Sequence, residues 1–262
     1  MDEEFAEFIK TNEIKFKYAK GMRDIIGNEI HPYHEIFFFI GGEADFISES
    51  GTEKLLPFTT VIIPKETFHC FVVSGNEKDY CRCVLNFDSV AELDTMIEKK
   101  FSKILLTSEE NIAEIFMKLK KLVTASFPQL EKDILLKSLF AQILVCIKDQ
   151  THHYLQSDMN PITVNIMKYI NNNLHKHFTI TTLANEFHIS ESHLAHVFKN
   201  DLHISIHKYI LEKRLILANK RIRNSEHPTQ VASECGFRDY SGFYKQYKKM
   251  FGISPSKSLP KK

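Results

Sequence analysis

The sequence predicts an α+β chain of two domains. A small antiparallel β-barrel with a helical pair comes first, and an all-α domain of two helix-turn-helix units joined by a linker helix follows. Three observations carry this expectation. One pattern occurs twice in the last hundred residues at a nearly constant offset. Residues from about Ile14 to Phe87 read as closely spaced short strands broken by Gly/Pro turns. Charge is also divided: from Ser157 onward there are 16 Lys+Arg against 8 Asp+Glu, in a chain whose totals are 34 and 33. The expected boundary places residues 1–156 in the first domain and 157–262 in the second.

The repeat begins with Leu183-Ala184, followed by Leu194 to Lys199 and Ile204-Ser205. It returns as Val231-Ala232, Phe243 to Lys248 and Ile253-Ser254. Leu194 pairs with Phe243, Phe198 with Tyr247 and Ser205 with Ser254, all 49 residues apart, whereas Ala184 and Ala232 are 48 apart. The two copies therefore differ by one residue in the turn between their helices. In the first copy Thr181-Thr182 offers a hydroxyl cap, Ile189 plugs the turn and Ser190 caps the second helix. Leu194, Val197 and Phe198 recur at i, i+3, i+4 and face the core, which leaves Ser192, Ala195, His196 and Lys199 on the opposite face. In the second copy Thr229 is the candidate cap, and Gly236-Phe237 makes the turn. Phe243 and Tyr247 face inward there. Tyr240, Ser241, Tyr244 and Lys245 face outward, with Lys248 and Lys249 beyond them.

A helix-turn-helix whose second helix keeps an exposed polar face suits a DNA major groove. Ser205 to Asn224, between the copies, is a helix of about twenty residues and roughly 30 Å. That is close to the ~34 Å between successive major grooves on one face of B-DNA. The C-terminal domain has a net charge of +8 and the rest −7. A basic domain of this kind neutralises phosphates, so its DNA affinity is expected to fall steeply with salt.

The block from Leu183 to Pro255 resembles the double helix-turn-helix domain of the AraC/XylS family of bacterial transcription regulators. In the first copy the matching residues are Leu183-Ala184, Ser190, Leu194 and Phe198-Lys199. Tyr209, Arg214 and Ala218 match in the linker helix. The second copy matches at Ala232, Gly236-Phe237, Asp239-Tyr240-Ser241, Phe243, Lys248 and Gly252-Ile253-Ser254-Pro255. Two positions depart: His203 stands where the family usually has glycine, and Ser258-Leu259-Pro260 replaces a usual aromatic-arginine ending. Both predict altered local geometry with DNA binding kept. The resemblance implies base contacts by Ser192, Ala195 and His196 in the first copy, and by Tyr240, Ser241, Tyr244 and Lys245 in the second. Lys199, Lys248 and Lys249 are expected to hold phosphates.

The strands of the first domain are Ile36–Ile40, ended by Gly41-Gly42, then Ala44–Ser48, Thr60–Ile63, His69–Ser74 and Tyr80–Phe87. Many members of the family carry a cupin-like sensor barrel here, and His31-Pro-Tyr-His34-Glu35, the Gly-Gly turn and Ile62-Ile63-Pro64 followed by His69 are similar to it. His34, Phe38 and His69 are the candidate effector contacts. His34, Glu35 and His69 also invite a metal, but His31 and His34 are three apart, so on one strand they would face opposite sides. No metal and no other cofactor is expected. Cys70, Cys81 and Cys83 read as small buried hydrophobes.

Thr107 to Glu110 reads as a capping box opening a helix through Leu122, and a second helix runs from about Gln129 to Asp149. The apolar surface of this pair is broader than one barrel needs, and in the family such a pair commonly forms the dimer contact, so a homodimer is expected. A link from His152-His153 leads to Asn160-Pro161, where a new helix starts with asparagine as cap. Met-Asp-Glu-Glu is not a signal peptide, no apolar run spans a membrane, and five cysteines lack a disulfide framework. The expected location is the cytoplasm, with no membrane partner.

The resemblance implies a transcription regulator that binds promoter DNA. It implies a small-molecule effector for the N-terminal domain and contact with RNA polymerase, activation being the commoner outcome. No Ser-His-Asp set, phosphate-cradling loop or paired-carboxylate motif points to an enzyme. Two rivals are a cupin-type metalloenzyme with an appended DNA anchor and an architectural DNA-binding protein without effector.

Overall fold

The computed structural model describes residues 5–21, 30–101, 104–147, 159–176 and 178–260. The chain divides into two compact units, Met1–Asp158 and Met159–Lys262. The link anticipated from His152 to Pro161 lies outside the described residues as far as Asp158.

Strand β3 (His34–Gly41) organises the first unit. Ile36, Phe37, Phe38 and Phe39 are all buried. Successive strand residues point to opposite faces, so a continuous apolar run is stable only where both faces are covered. Both are. Phe37 and Phe39 face a layer that includes Phe46, Val61 and Phe71, with the Phe37 and Phe71 rings stacked 3.8 Å apart. Ile36 and Phe38 face helices, and Phe38 stacks on Phe116 at 4.7 Å. Each such phenylalanine contributes about 1.5–3 kcal/mol by its burial.

β3 lies within a six-stranded antiparallel sheet. Its order is β1 (Phe5–Lys10), β2 (Ile14–Lys20), β8 (Cys81–Phe87), β3, β6 (Thr60–Ile63) and β9 (Leu105–Thr107). A second sheet of β5 (Gly51–Lys54), β4 (Ala44–Ser48) and β7 (His69–Val73) supplies the other layer. The chain passes between sheets at Gly41-Gly42. Pairing of β3 with β8 is bulged between Phe39 and Gly41. Gly42 has φ +106°, and a Cβ there would lie 2.9 Å from the Tyr80 Cα. The barrel expectation is corrected here: among the described residues the strands form two facing sheets, and no ladder closes them into one barrel.

Helices α1 (Asp94–Lys100), α2 (Glu110–Thr124) and α3 (Gln129–Cys146) pack on the outer face of the large sheet. The capping box at Thr107 does not form. Thr107 pairs with Thr60 at the end of β9, so its backbone belongs to the sheet, and Glu109 takes the N-cap position without a side-chain hydrogen bond. α3 ends at Cys146, short of the expected Asp149, and buries Leu136, Phe140, Ile143 and Leu144. Its opposite side is also apolar: Leu130, Ile134 and Val145 are 71%, 59% and 70% exposed. Among the described residues no helix is long and apolar enough to cross a membrane.

The second unit is helical: α4 (Pro161–Asn172), α5 (Ile180–Glu186), α6 (Glu191–Leu202), α7 (Ile206–Arg223), α8 (Pro228–Glu234) and α9 (Tyr240–Phe251). Asn160 caps α4 through its side chain, with Pro161 at the first helical position. The mixed α/β architecture thus has its antiparallel sheets in the N-terminal unit and its helix-turn-helix region in the C-terminal one.

Candidate nucleic-acid interface

Each α5–α6 and α8–α9 pair is built by local capping and one buried seam. Thr179 caps α5, with Thr182 bonding back to it, so the cap lies two residues before the expected Thr181. Leu183 and Ala184 are buried beneath α6. His188 takes φ +53° in the turn, and the Ser190 hydroxyl accepts from the His193 N–H at 3.2 Å to start α6. In the second pair Pro228 opens α8 behind His227, which displaces Thr229 from the cap because proline has no N–H to satisfy. Gly236 turns the chain at φ +82°, and Asp239 caps α9 by accepting from the Gly242 N–H at 2.7 Å.

α7 joins the pairs and contacts α6, α8 and α9. Its Tyr209 exchanges hydrogen bonds with Asn171 behind the first pair. Its Asn219 accepts from the Tyr247 hydroxyl of α9 at 2.6 Å. Arg214, midway, donates to the carbonyls of Leu174 at 3.0 Å and Lys176 at 2.5 Å, and lies 5.1 Å over the Phe178 ring. Arg221 is neutralised by Glu226 and Glu234, and these carboxylates push its already high pKa further up. Arg214 and Arg221 are therefore structural, whereas Lys199 of α6 and Lys245, Lys248 and Lys249 of α9 are turned to solvent.

Ser192, Ala195, His196 and Lys199 are all exposed on α6, opposite buried Leu194, Val197 and Phe198. On α9, Ser241, Tyr244, Lys245, Lys248 and Lys249 are exposed, opposite buried Phe243 and Tyr247. Tyr240 is half-buried, its ring 5.7 Å from that of Phe243. His196 shares a 3.0 Å hydrogen bond with Asn200, which joins the polar face of α6. Sequence reasoning missed Asn200 and the exposed Arg238 just before α9. The i, i+4 spacing of His196 and Asn200 was the available signal for the first.

The two departures have local solutions. His203 ends α6 in the left-handed region at φ +53°, and Gly252 ends α9 at φ +73°, 49 residues later. Their N–H groups bond the equivalent carbonyls of Lys199 and Lys248, at 2.8 and 2.9 Å. Ser258 closes a short 3-10 turn, Pro255–Ser258, and its hydroxyl donates to the Tyr247 oxygen at 2.8 Å, since the Tyr247 proton goes to Asn219.

A family model described as a helix-turn-helix domain matches residues 183–259, which hold both units and α7. The probable transcriptional regulator LumQ of Photobacterium leiognathi is 25% identical over 230 residues, 87% of this chain and 89% of its own length. The raffinose operon transcriptional regulatory protein RafR of Pediococcus pentosaceus is 24% identical over 243 residues, covering 88% and 86%. Residues 183–259 thus form a helix-turn-helix domain of the AraC type, and the relatives matched along most of the chain are transcriptional regulators. Among solved structures, this regulator is similar to ToxT from Vibrio cholerae, at 12% identity and a TM-score of 0.41, over 97% of this chain and 96% of ToxT. It is a transcription regulator that binds DNA through the helix-turn-helix region.

The candidate effector residues of the regulator do not converge. His34 and Phe38 point to the helix-covered face of β3, where His34 stacks on Phe87 and its Nδ1 accepts from the Lys65 N–H at 3.2 Å. Phe38 is sealed beneath Phe116. His69 lies on the inner face beside Phe46 and Phe71. His34 and Phe38 thus lie on the helix-covered side of the large sheet and His69 on the side between the sheets. His34 alone lines a cavity of about 610 Å³, together with Lys65, Thr67, Asp88, Asp94 and Glu98. His69 instead meets Glu35 and His31 in the core, with burial pushing its pKa down to about 4. Burial likewise lowers His34 to about 4. Burial alone would raise the Glu35 carboxyl, but the His31 and His69 rings hold it below the ordinary carboxylate range.

Proposed function

We propose that the regulator activates transcription from promoter DNA in response to a small molecule, as a homodimer. One observation supports this most: two helix-turn-helix units at a 49-residue offset, each presenting an exposed polar face from its second helix. In this reading Ser192, Ala195, His196, Ser241, Tyr244 and Lys245 read bases, with Tyr240 contributing its hydroxyl edge. Lys199, Lys248 and Lys249 hold phosphates. RNA polymerase contact supplies activation.

The N-terminal unit acts as a cupin-like sensor opened into two sheets. The cavity beside His34 is within the range that small-molecule sites occupy. Its Lys65, Asp88 and Glu98 suit a polar, hydroxylated ligand. RafR and the lactose operon transcription activator of Staphylococcus xylosus are named for sugar operons, which agrees with that chemistry. The exposed side of α3, with Leu130, Ile134 and Val145, is the dimer face.

Fluorescence anisotropy tests the central claim, with the label on DNA because the protein has no tryptophan. Duplex from upstream of its own gene is expected to bind at least about a hundredfold tighter than random duplex, and less tightly as salt rises. Equal binding to both, at every salt concentration and with sugars added, refutes sequence-specific regulation.

A further inference from the structure

We propose that the core of the N-terminal unit holds one divalent first-row transition metal ion, ligated by the Nε2 atoms of His31 and His69 and the carboxylate of Glu35. This stands apart from the regulatory reading, because it rests on the geometry of these three residues alone.

All three are buried, and one ligand atom from each lies within 4.8 Å of the others. His31 Nε2 is 3.4 Å from Glu35 Oε2, and His69 Nε2 is 3.9 Å from Glu35 Oε1. The tautomers follow from the backbone. His31 Nδ1 is 2.8 Å from the Tyr33 carbonyl and His69 Nδ1 is 3.1 Å from the Thr67 carbonyl. A carbonyl only accepts, so each Nδ1 carries the proton. Nε2 is then the atom that each ring turns toward Glu35. Main-chain carbonyls that fix Nδ1–H and aim Nε2 are the outer-shell arrangement of metal-bound histidines.

A buried carboxylate calls for positive charge beside it, and both Nε2 atoms converge on this one. A divalent ion serves all three at once, whereas a proton bridges only one pair. Arg82 adds positive charge toward Glu35, while its guanidinium donates to the Gly21 carbonyl at 2.8 Å and lies 4.7 Å over the Tyr80 ring. Ligand atoms each ~2.0–2.2 Å from one zinc lie about 3–3.5 Å apart, so separations here of up to 4.8 Å leave a gap for the side chains to close. Small side-chain rotations close that gap. Two imidazoles and a carboxylate select zinc, iron(II) or their neighbours over calcium and magnesium, and leave a further coordination position open.

The His31 ligand explains why strand parity alone missed the site. His31 precedes β3, so its ring is free of the strand's alternation and reaches Glu35 at i+4, on the inner face. His34, inside the strand, points the other way.

The test is metal content and affinity of the full chain, stripped with chelator and titrated with zinc chloride. One zinc per chain is expected, with a rise in melting temperature. Glu35→Gln and His69→Gln should each lower zinc affinity at least about tenfold. His175→Ala, an exposed histidine of the other unit, should bind as the wild type does. Retention of far-UV circular dichroism and DNA binding by the variants shows that they fold. If they do not, cobalt(II) added to the wild-type chain decides. The d–d bands of a four- or five-coordinate ion without a thiolate charge-transfer band support the site; their absence, or a thiolate band, overturns it. Substoichiometric zinc, or full zinc retained by Glu35→Gln and His69→Gln, overturns it equally.

Discussion

Replacing Gly236 by alanine tests how the two DNA-reading units are held together. The position has φ +82°, where a side chain costs about 1–2 kcal/mol. The new Cβ would also lie 2.8 Å from the Leu174 carbonyl oxygen and 2.9 Å from the Arg214 guanidinium. The carbonyl is main chain, so the guanidinium yields. Its bonds to Leu174 and Lys176 are charge-assisted, and losing one costs about 1.5–3 kcal/mol. Together the change should destabilise the C-terminal unit by about 3–5 kcal/mol, lowering its melting temperature by roughly 10–20 °C. Urea unfolding followed at the helical dichroism band measures this, and Arg214→Ala completes a double-mutant cycle. In the Arg214→Ala background, the cost of Gly236→Ala should shrink by about 1.5 kcal/mol or more. A loss below about 1 kcal/mol, or one independent of Arg214, would falsify the account of Gly236 as the space that Arg214 occupies.

Other changes address separate contacts. His203→Gly should stabilise the chain by about 1 kcal/mol, because glycine adopts the left-handed cap without the Cβ clash; an unchanged urea midpoint would contradict it. Lys248→Ala should weaken binding to specific and random duplex alike and reduce the salt slope by about 0.9, read by anisotropy at several salt concentrations. Ser241→Ala or Lys245→Ala should instead relax base preference, and an unaltered preference in both would remove α9 from base reading. Leu130→Asp with Ile134→Asp should convert a dimer to monomer in analytical ultracentrifugation, and wild-type protein that is monomeric at tens of micromolar would sink the α3 face as the contact.

The C-terminal half was legible because its two copies checked each other. Apolar spacing at Leu194, Val197 and Phe198, repeated at Phe243 and Tyr247, fixed which side faces out. The caps were placed less well. Thr181 and Thr179 are both hydroxyl residues, and only the backbone geometry shows which one bonds the N3 N–H. In the N-terminal half, Ile36 to Ile40 announced a buried strand but not what covers its two faces. That depends on the bulge at Phe39–Gly41, a long-range pairing without a local sequence signal. β9 was hidden for a similar reason: Thr107 looks like a cap until Thr60 pairs with it. Parity kept His34 from His31, and His31 lies before the strand, where alternation does not apply to it.

Phe37 and Phe38 are neighbours in the chain and strangers in the core. One belongs to the space between the sheets and the other to the space beneath α2. Losses from trimming them should therefore add, unlike those of most residue pairs joined by one peptide bond. A library that varies Phe37, Phe46 and Phe71 together can be searched separately from one that varies Phe38 and Phe116, since β3 is the partition that keeps each repacking problem to itself.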